Sequence, residues 1–168
     1  MSEKPHFPVF LDLSEKKVIV VGAGTIAKRR IRTLAEFTYD LTVIAPEVNS
    51  ELKLMEEAGK IKILRKHYER DDLYGADMVI AAASDKKINN DIHAACKCLG
   101  IPVNVPDDRT KCDFFFPGLV KYGDMVAAVS SGGKSRKESN KLLELIGGWM
   151  KAIQEKSYVS SERREQEL

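Results

Sequence analysis

Short apolar runs alternate with amphipathic stretches through the first hundred residues. Residues 17–21 (KVIVV) are β-branched and end abruptly at Gly22, the pattern of a parallel strand buried on both faces. Similar runs follow at 41–45 (LTVIA, closed by Pro46), 61–64, 78–82 (MVIAA) and 103–105. Between them the period lengthens to that of a helix. After the glycines, Ala27, Ile31, Leu34 and Ala35 form one stripe, with Arg29, Arg30 and Arg32 largely off it. Residues 47–58 read as a second helix, ended by Gly59. Residues 86–99 read as a third, with Ile88, Ile92, Ala95 and Leu99 on one face and Gly100 as its stop.

Strands that alternate with helices build a parallel sheet covered on both sides, an α/β fold. Right-handed crossovers bring all strand C-terminal ends to one edge, where open sheets of this kind bind ligands. The pattern changes after Asp113. Residues 114–121 and 125–130 are two strands joined through Tyr122, Gly123 and Asp124, a hairpin. Residues 135–156 follow as a helix with Leu142, Ile146, Trp149 and Ile153 on one side. Ser135 and Glu138 supply a capping box, Gly147 and Gly148 an interruption, and the segment from Ser157 a polar, frayed tail. The expected organisation is 1–113 as the sheet domain, 114–134 as the hairpin and 135–168 as the helix and tail. A hairpin and one helix cannot bury both of their faces, and Phe114, Phe115 and Phe116 add apolar load, so a homodimer is expected. Packing back onto the chain's own sheet is the alternative.

Composition narrows the setting. The 168 residues carry a net charge of +2, with 43% hydrophobic and 31% charged side chains, which gives no reason to expect nucleic acid. No apolar run nears the roughly 20 residues that span a bilayer, and the N-terminus lacks a signal-peptide core. Three cysteines without framework spacing suit a reducing compartment, so a cytoplasmic protein is expected.

Chemistry enters at Gly22-Ala23-Gly24-Thr25-Ile26-Ala27. This is G-x-G-x-x-A in its required place, after a strand and opening a helix. Gly22 permits the tight turn, Gly24 lets backbone approach a pyrophosphate, and Ala27 lets helix and strand pack closely. The helix N-terminus turns free N–H groups and positive potential toward the phosphates. A doubly wound Rossmann-type sheet with an NAD site is therefore predicted. The acid expected after the second strand is missing: Ala45 and Pro46 stand there, with Glu47 beyond. The ribose rule thus leaves NAD against NADP open, and the lack of an adjacent arginine leans to NAD. At the end of the fourth strand Ser84 is placed to touch the cofactor, unless Ser84 or Asp85 simply caps the next helix.

These residues resemble the precorrin-2 dehydrogenase family, the NAD-dependent dehydrogenase module of siroheme synthase. The likeness runs through residues 7–13 (FPVFLDL), 20–30 (VVGAGTIAKRR), 43–46 (VIAP), 82–85 (AASD), 103–107 (VNVPD) and 126–135 (VAAVSSGGKS). It implies oxidation of precorrin-2 to sirohydrochlorin with NAD, a dimer, and in some members iron insertion. It points to Asp107 as the acid–base residue and puts Ser131 near the tetrapyrrole. Besides the resemblance, Asn104 is placed near the cofactor, and Ser130, Ser131, Gly132 and Gly133 offer either an anion-binding backbone nest or a plain loop into the last helix. A carboxylate after the fifth strand is also where the residues themselves would put a base: dehydrogenation removes a hydride and a proton, and the cofactor takes only the hydride. Asp108 competes for that role. Arg109, Arg136 and Lys137 could join Lys134 against the substrate's carboxylates.

Two departures stand out. Arg136-Lys137-Glu138-Ser139 replaces the proline and small apolar residues usual after Gly-Gly-Lys-Ser, and the helical tail is shorter than in stand-alone members. Iron insertion, or a non-catalytic NAD-binding regulator, are the alternative functions. His93, Cys96, Cys98 and Cys112 lack metal-site spacing, so no metal centre is expected.

Overall fold

The structure is a computed structural model that describes residues 6–132 and 135–165. The chain divides into two compact units, Pro8–Phe114 and a second from Phe115 onward that also takes in His6 and Phe7.

In the first unit, strands β1 (Lys17–Val21), β2 (Asp40–Ile44), β3 (Lys62–Leu64), β4 (Met78–Ala81) and β5 (Val103–Asn104) form one parallel sheet in the order β3-β2-β1-β4-β5. Val18, Val20, Val43, Val79, Ile80 and Ala81 are wholly buried, which is why these strands read as unbroken apolar runs. The chain winds outward from β1 through β2 to β3, then returns to β4 on the other side of β1. The order reverses between β1 and β4, and that reversal is the crevice where such sheets take ligands. Register aligns the crevice: Val21 pairs with Ile44 on one side and Ala81 on the other. The Rossmann-type expectation is met.

Helices α1 (Thr25–Leu34), α2 (Ser50–Glu57) and α3 (Lys86–Leu99) connect the strands. α2 starts later than its sequence suggests, because Asn49 Oδ1 accepts the Leu52 N–H at 3.0 Å and so sets the first turn. α3 ends as expected on Gly100 in the left-handed region, φ 70°. Its inner face differs from the one expected. Asn89, Ile92, Ala95 and Cys96 are buried, while Leu99 is 41% exposed. Buried hydrogen bonds made by Asn89 set the rotation of the helix. α1 carries a second correction: Arg30, expected on the polar side, is buried.

In the second unit, β6 (Gly118–Tyr122) and β7 (Met125–Val129) pair antiparallel, and Tyr122 faces Met125 across the two-residue turn Gly123-Asp124. Gly123 has φ 57°, which a hairpin turn of this length requires at its first position. Phe114, Phe115 and Phe116 stay outside the strand; Pro117, lacking an N–H, precedes its first residue. The His6 ring stacks on Phe115 with centroids 4.0 Å apart.

Helix α4 (Arg136–Glu165) packs on both strands. It passes through Gly147 and Gly148 without interruption and continues beyond Ser157. Gly147 serves contact, whereas a Cβ on Gly148 would meet nothing within 4 Å. A Cβ on Gly147 would lie 3.1 Å from Val120 Cγ2, and one on Gly118 2.3 Å from Leu143 Cδ1. The face on the hairpin therefore includes Leu143, Gly147 and buried Met150, whereas Leu142, Leu145, Trp149 and Ile153 are exposed. Ser135 Oγ accepts the Glu138 N–H at 3.3 Å, half of the expected capping box.

Candidate active site

The site is built where β1 ends. Gly22 donates its N–H to the Ile44 carbonyl at 2.9 Å, and Ala82 donates to Val21 at 2.9 Å, so the turn is tied to both neighbouring strands. Gly22 has φ +109°, and a Cβ there would lie 2.2 Å from the Ala82 carbonyl oxygen. Conformation and space both demand glycine. Gly24 is different: a Cβ on it would meet nothing within 4 Å. Its bare backbone faces open space at the start of α1, and no side chain caps that helix end. Exposed Thr25 and Ile26 lie beside it, and Ala27 is buried against the sheet. A backbone free of Cβ at an uncapped helix N-terminus fits the pyrophosphate of a dinucleotide.

Along the same edge Ala45 is buried, Pro46 and Glu47 are exposed, and no carboxylate follows β2 directly. Ser84 is exposed. Of the two capping candidates it is Asp85 that caps α3, its carboxylate accepting the Lys87 N–H at 2.8 Å. Asn104 is buried and braced within the protein. Its Nδ2 donates to the Phe114 carbonyl at 2.7 Å and to Cys112 Sγ at 3.4 Å, and its Oδ1 accepts from Arg30 Nη1. Burial lowers the Arg30 pKa to about 10, the nearby Cys112 opposing this in part.

Asp107 and Asp108 follow β5 and differ sharply. Asp108 accepts the Thr110 hydroxyl at 2.6 Å and the Thr110 N–H at 3.1 Å, and pairs with Lys111 at 2.9 Å. The Thr110 hydroxyl and the Lys111 ammonium, in that order, hold its carboxyl at about 2. Asp107 is exposed, and Asn89 Nδ2 reaches its Oδ2 at 3.4 Å. Asn89 was missed in the sequence, where it reads as one more polar residue in the first turns of a helix. The signal available was its place three residues before Ile92, on the stripe that the buried face requires.

In the second unit, Ser131 Oγ accepts the Ser135 N–H at 3.1 Å, and the Gly132 N–H, at φ 61°, goes to Ser130 Oγ at 3.2 Å. Hydroxyls thus already accept two of the backbone N–H groups around this loop. Lys134 and the Arg136 side chain lie outside the described residues. Among the described residues no group of three or more His, Cys, Asp or Glu could hold a metal ion, and the three cysteines are free thiols.

A sequence family described as putative NAD(P)-binding matches residues 9–118. The siroheme synthase of Psychrobacter arcticus is 36% identical over 129 residues, covering 77% of this chain and 24% of that protein. That of Pseudomonas putida is 40% identical over 128 residues, covering 76% and 28%. A probable multifunctional siroheme biosynthesis protein HemA of Ruminiclostridium josui is 37% identical over 142 residues, covering 84% and 28%. The chain therefore spans about a quarter of the length of these curated relatives. The solved structure of SirC, a precorrin-2 dehydrogenase, superposes with a TM-score of 0.75 at 27% identity, over 89% of this chain and 76% of that one.

Proposed function

This chain belongs to the putative NAD(P)-binding family whose pattern covers residues 9–118, and from that membership we propose that it is an NAD-dependent dehydrogenase oxidising precorrin-2 to sirohydrochlorin in siroheme biosynthesis. The observation that carries the reading is the pairing of an open glycine turn at the crevice with a carboxylate, Asp107, held on the same strand-end edge by Asn89. Likeness to SirC and to siroheme synthases supplies the substrate.

NAD, when bound, accepts the hydride. The chain does the rest. Gly22, Gly24 and the first turn of α1, with Thr25 and Ile26, seat the pyrophosphate; Ala27 keeps helix and sheet close; Ala45, Pro46 and Ser84 line the edge on either side. Asp107, as the carboxylate, takes the proton that leaves beside the hydride and returns it to water, so a hydride (two electrons and one proton) goes to the cofactor and a second proton to the base. Asp108 is already engaged by Thr110 and Lys111, which favours Asp107 as the base. Asn104 acts as a brace. On the second unit the Ser131 hydroxyl is assigned to a tetrapyrrole carboxylate, since it keeps its proton to donate, with Gly132 shaping the loop beside it while its N–H goes to Ser130.

We also assign a homodimer and a cytoplasmic location. The exposed stripe of Leu142, Leu145, Trp149 and Ile153 on α4 supports the first, because an apolar face of this extent is a contact surface. Free thiols support the second.

The test is anaerobic incubation with enzymatically generated precorrin-2 and NAD, following NADH and the sirohydrochlorin spectrum, with Asp107→Ala alongside. Both products from the native chain and neither from the variant is the expected result. NAD binding without turnover overturns the enzyme in favour of a sensor.

A further inference from the structure

A carboxylate on an exposed turn samples several rotamers, and a base must be held in one. Asn89 supplies the restraint. It sits in the first turn of α3 and is 3% exposed. Its Oδ1 accepts the Ala83 N–H at 3.0 Å, and its Nδ2 donates to the Ala83 carbonyl at 3.0 Å and to Asp107 Oδ2 at 3.4 Å. A carboxamide has one oxygen and two N–H donors, and here all three are used. The two bonds to Ala83 decide which way the amide faces, since the flipped form would set donor against donor and oxygen against oxygen. The second N–H then has one direction left, toward Asp107. Ala83 follows Ala82, whose carbonyl lies against Gly22. A single buried amide thus ties the end of β4, beside the glycine turn, to the carboxylate after β5.

We propose that Asn89 is a positioning residue that fixes the Asp107 carboxylate relative to the strand-end segment at Ala83, so that base and cofactor edge keep one geometry. This rests on the reading of Asp107 as the base. No other common side chain of this size offers one acceptor and two donors. Asn89→Asp keeps the acceptor for the Ala83 N–H but loses both donors and turns an oxygen toward Asp107.

The experiment is a double-mutant cycle on the full chain: native, Asn89→Asp, Asp107→Asn and the double variant. Each is read for single-turnover hydride transfer to NAD from precorrin-2, for KM and kcat, and for NAD dissociation. Asn89→Ser is carried in parallel, so that one misfolded variant does not end the test. The single Asn89 variants are expected to lose about 10-fold or more in transfer rate. In the Asp107→Asn background the same changes should cost less than about 2-fold, because the group being positioned is gone. Losses that multiply in the double variant overturn the positioning role and leave Asn89 a structural clamp. Native turnover by Asp107→Asn overturns the base assignment instead, a separate outcome.

Discussion

The guanidinium of Arg30, buried under α1, donates to the side-chain carbonyl of Asn104 at the end of β5. One of these residues reads in the sequence as a surface cation and the other as a cofactor contact. Together they pin the helix after the glycine turn to the strand before Asp107. Asn104→Ala removes the acceptor from a buried charged donor and should cost about 2 kcal/mol or more in urea unfolding. NAD affinity of the folded variant should change by less than about 3-fold, since the loss lies in the brace.

Gly22 and Gly24 should separate stability from binding. Gly22→Ala places a Cβ against the Ala82 carbonyl at a positive φ, so thermal unfolding should show a loss of about 2 kcal/mol or more. Gly24→Ala meets no protein atom and should unfold like the native chain, while calorimetric NAD titration shows about 10-fold weaker binding or worse.

Asp107 and Asp108 should part company in turnover and in acid. Asp107→Asn is expected to lose about 100-fold or more in kcat, and Asp108→Asn less than about 3-fold. Asp108 has its folded pKa lowered to about 2, so its contribution is fully present above the ordinary carboxylate pKa of about 3.9 and is lost as pH falls toward 2. Denaturation curves through that window should therefore be flatter with pH in Asp108→Asn.

Thiol reactivity should follow burial. Burial pushes Cys96 up to about 11, whereas Cys98 is exposed. Iodoacetamide on the native chain should label Cys98 and spare Cys96 until denaturant is added, as peptide mass spectrometry would show.

Charge on the outer face of α4 should dissolve the proposed dimer. Trp149 is 66% exposed and Leu145 lies one turn away. Trp149→Glu with Leu145→Glu should give a monomer by light scattering with unchanged helix content, because both side chains are at least half exposed. A native chain that is already monomeric would remove the dimer.

What the chain declares by itself is whatever depends on local pattern. Buried strands read as β-branched runs because both faces of a parallel sheet are covered, and the observed β1 begins and ends on the expected residues. Gly22 and Ala27 were legible because a tight turn and a close helix–sheet contact tolerate few residue types. Gly100 was legible for the same reason, as a left-handed helix end. Polar residues in the interior were not. Arg30 and Asn89 look like any other polar helix residue, and only long-range packing brings Arg30 to Asn104 and Asn89 to both Ala83 and Asp107. The same holds for Gly147, which reads as a helix breaker until the hairpin's Val120 fills the space beside it. Local periodicity states which faces are apolar. Which polar side chain is drawn inside depends on partners far away in the sequence, because a buried donor is stable only where the tertiary fold supplies its acceptor.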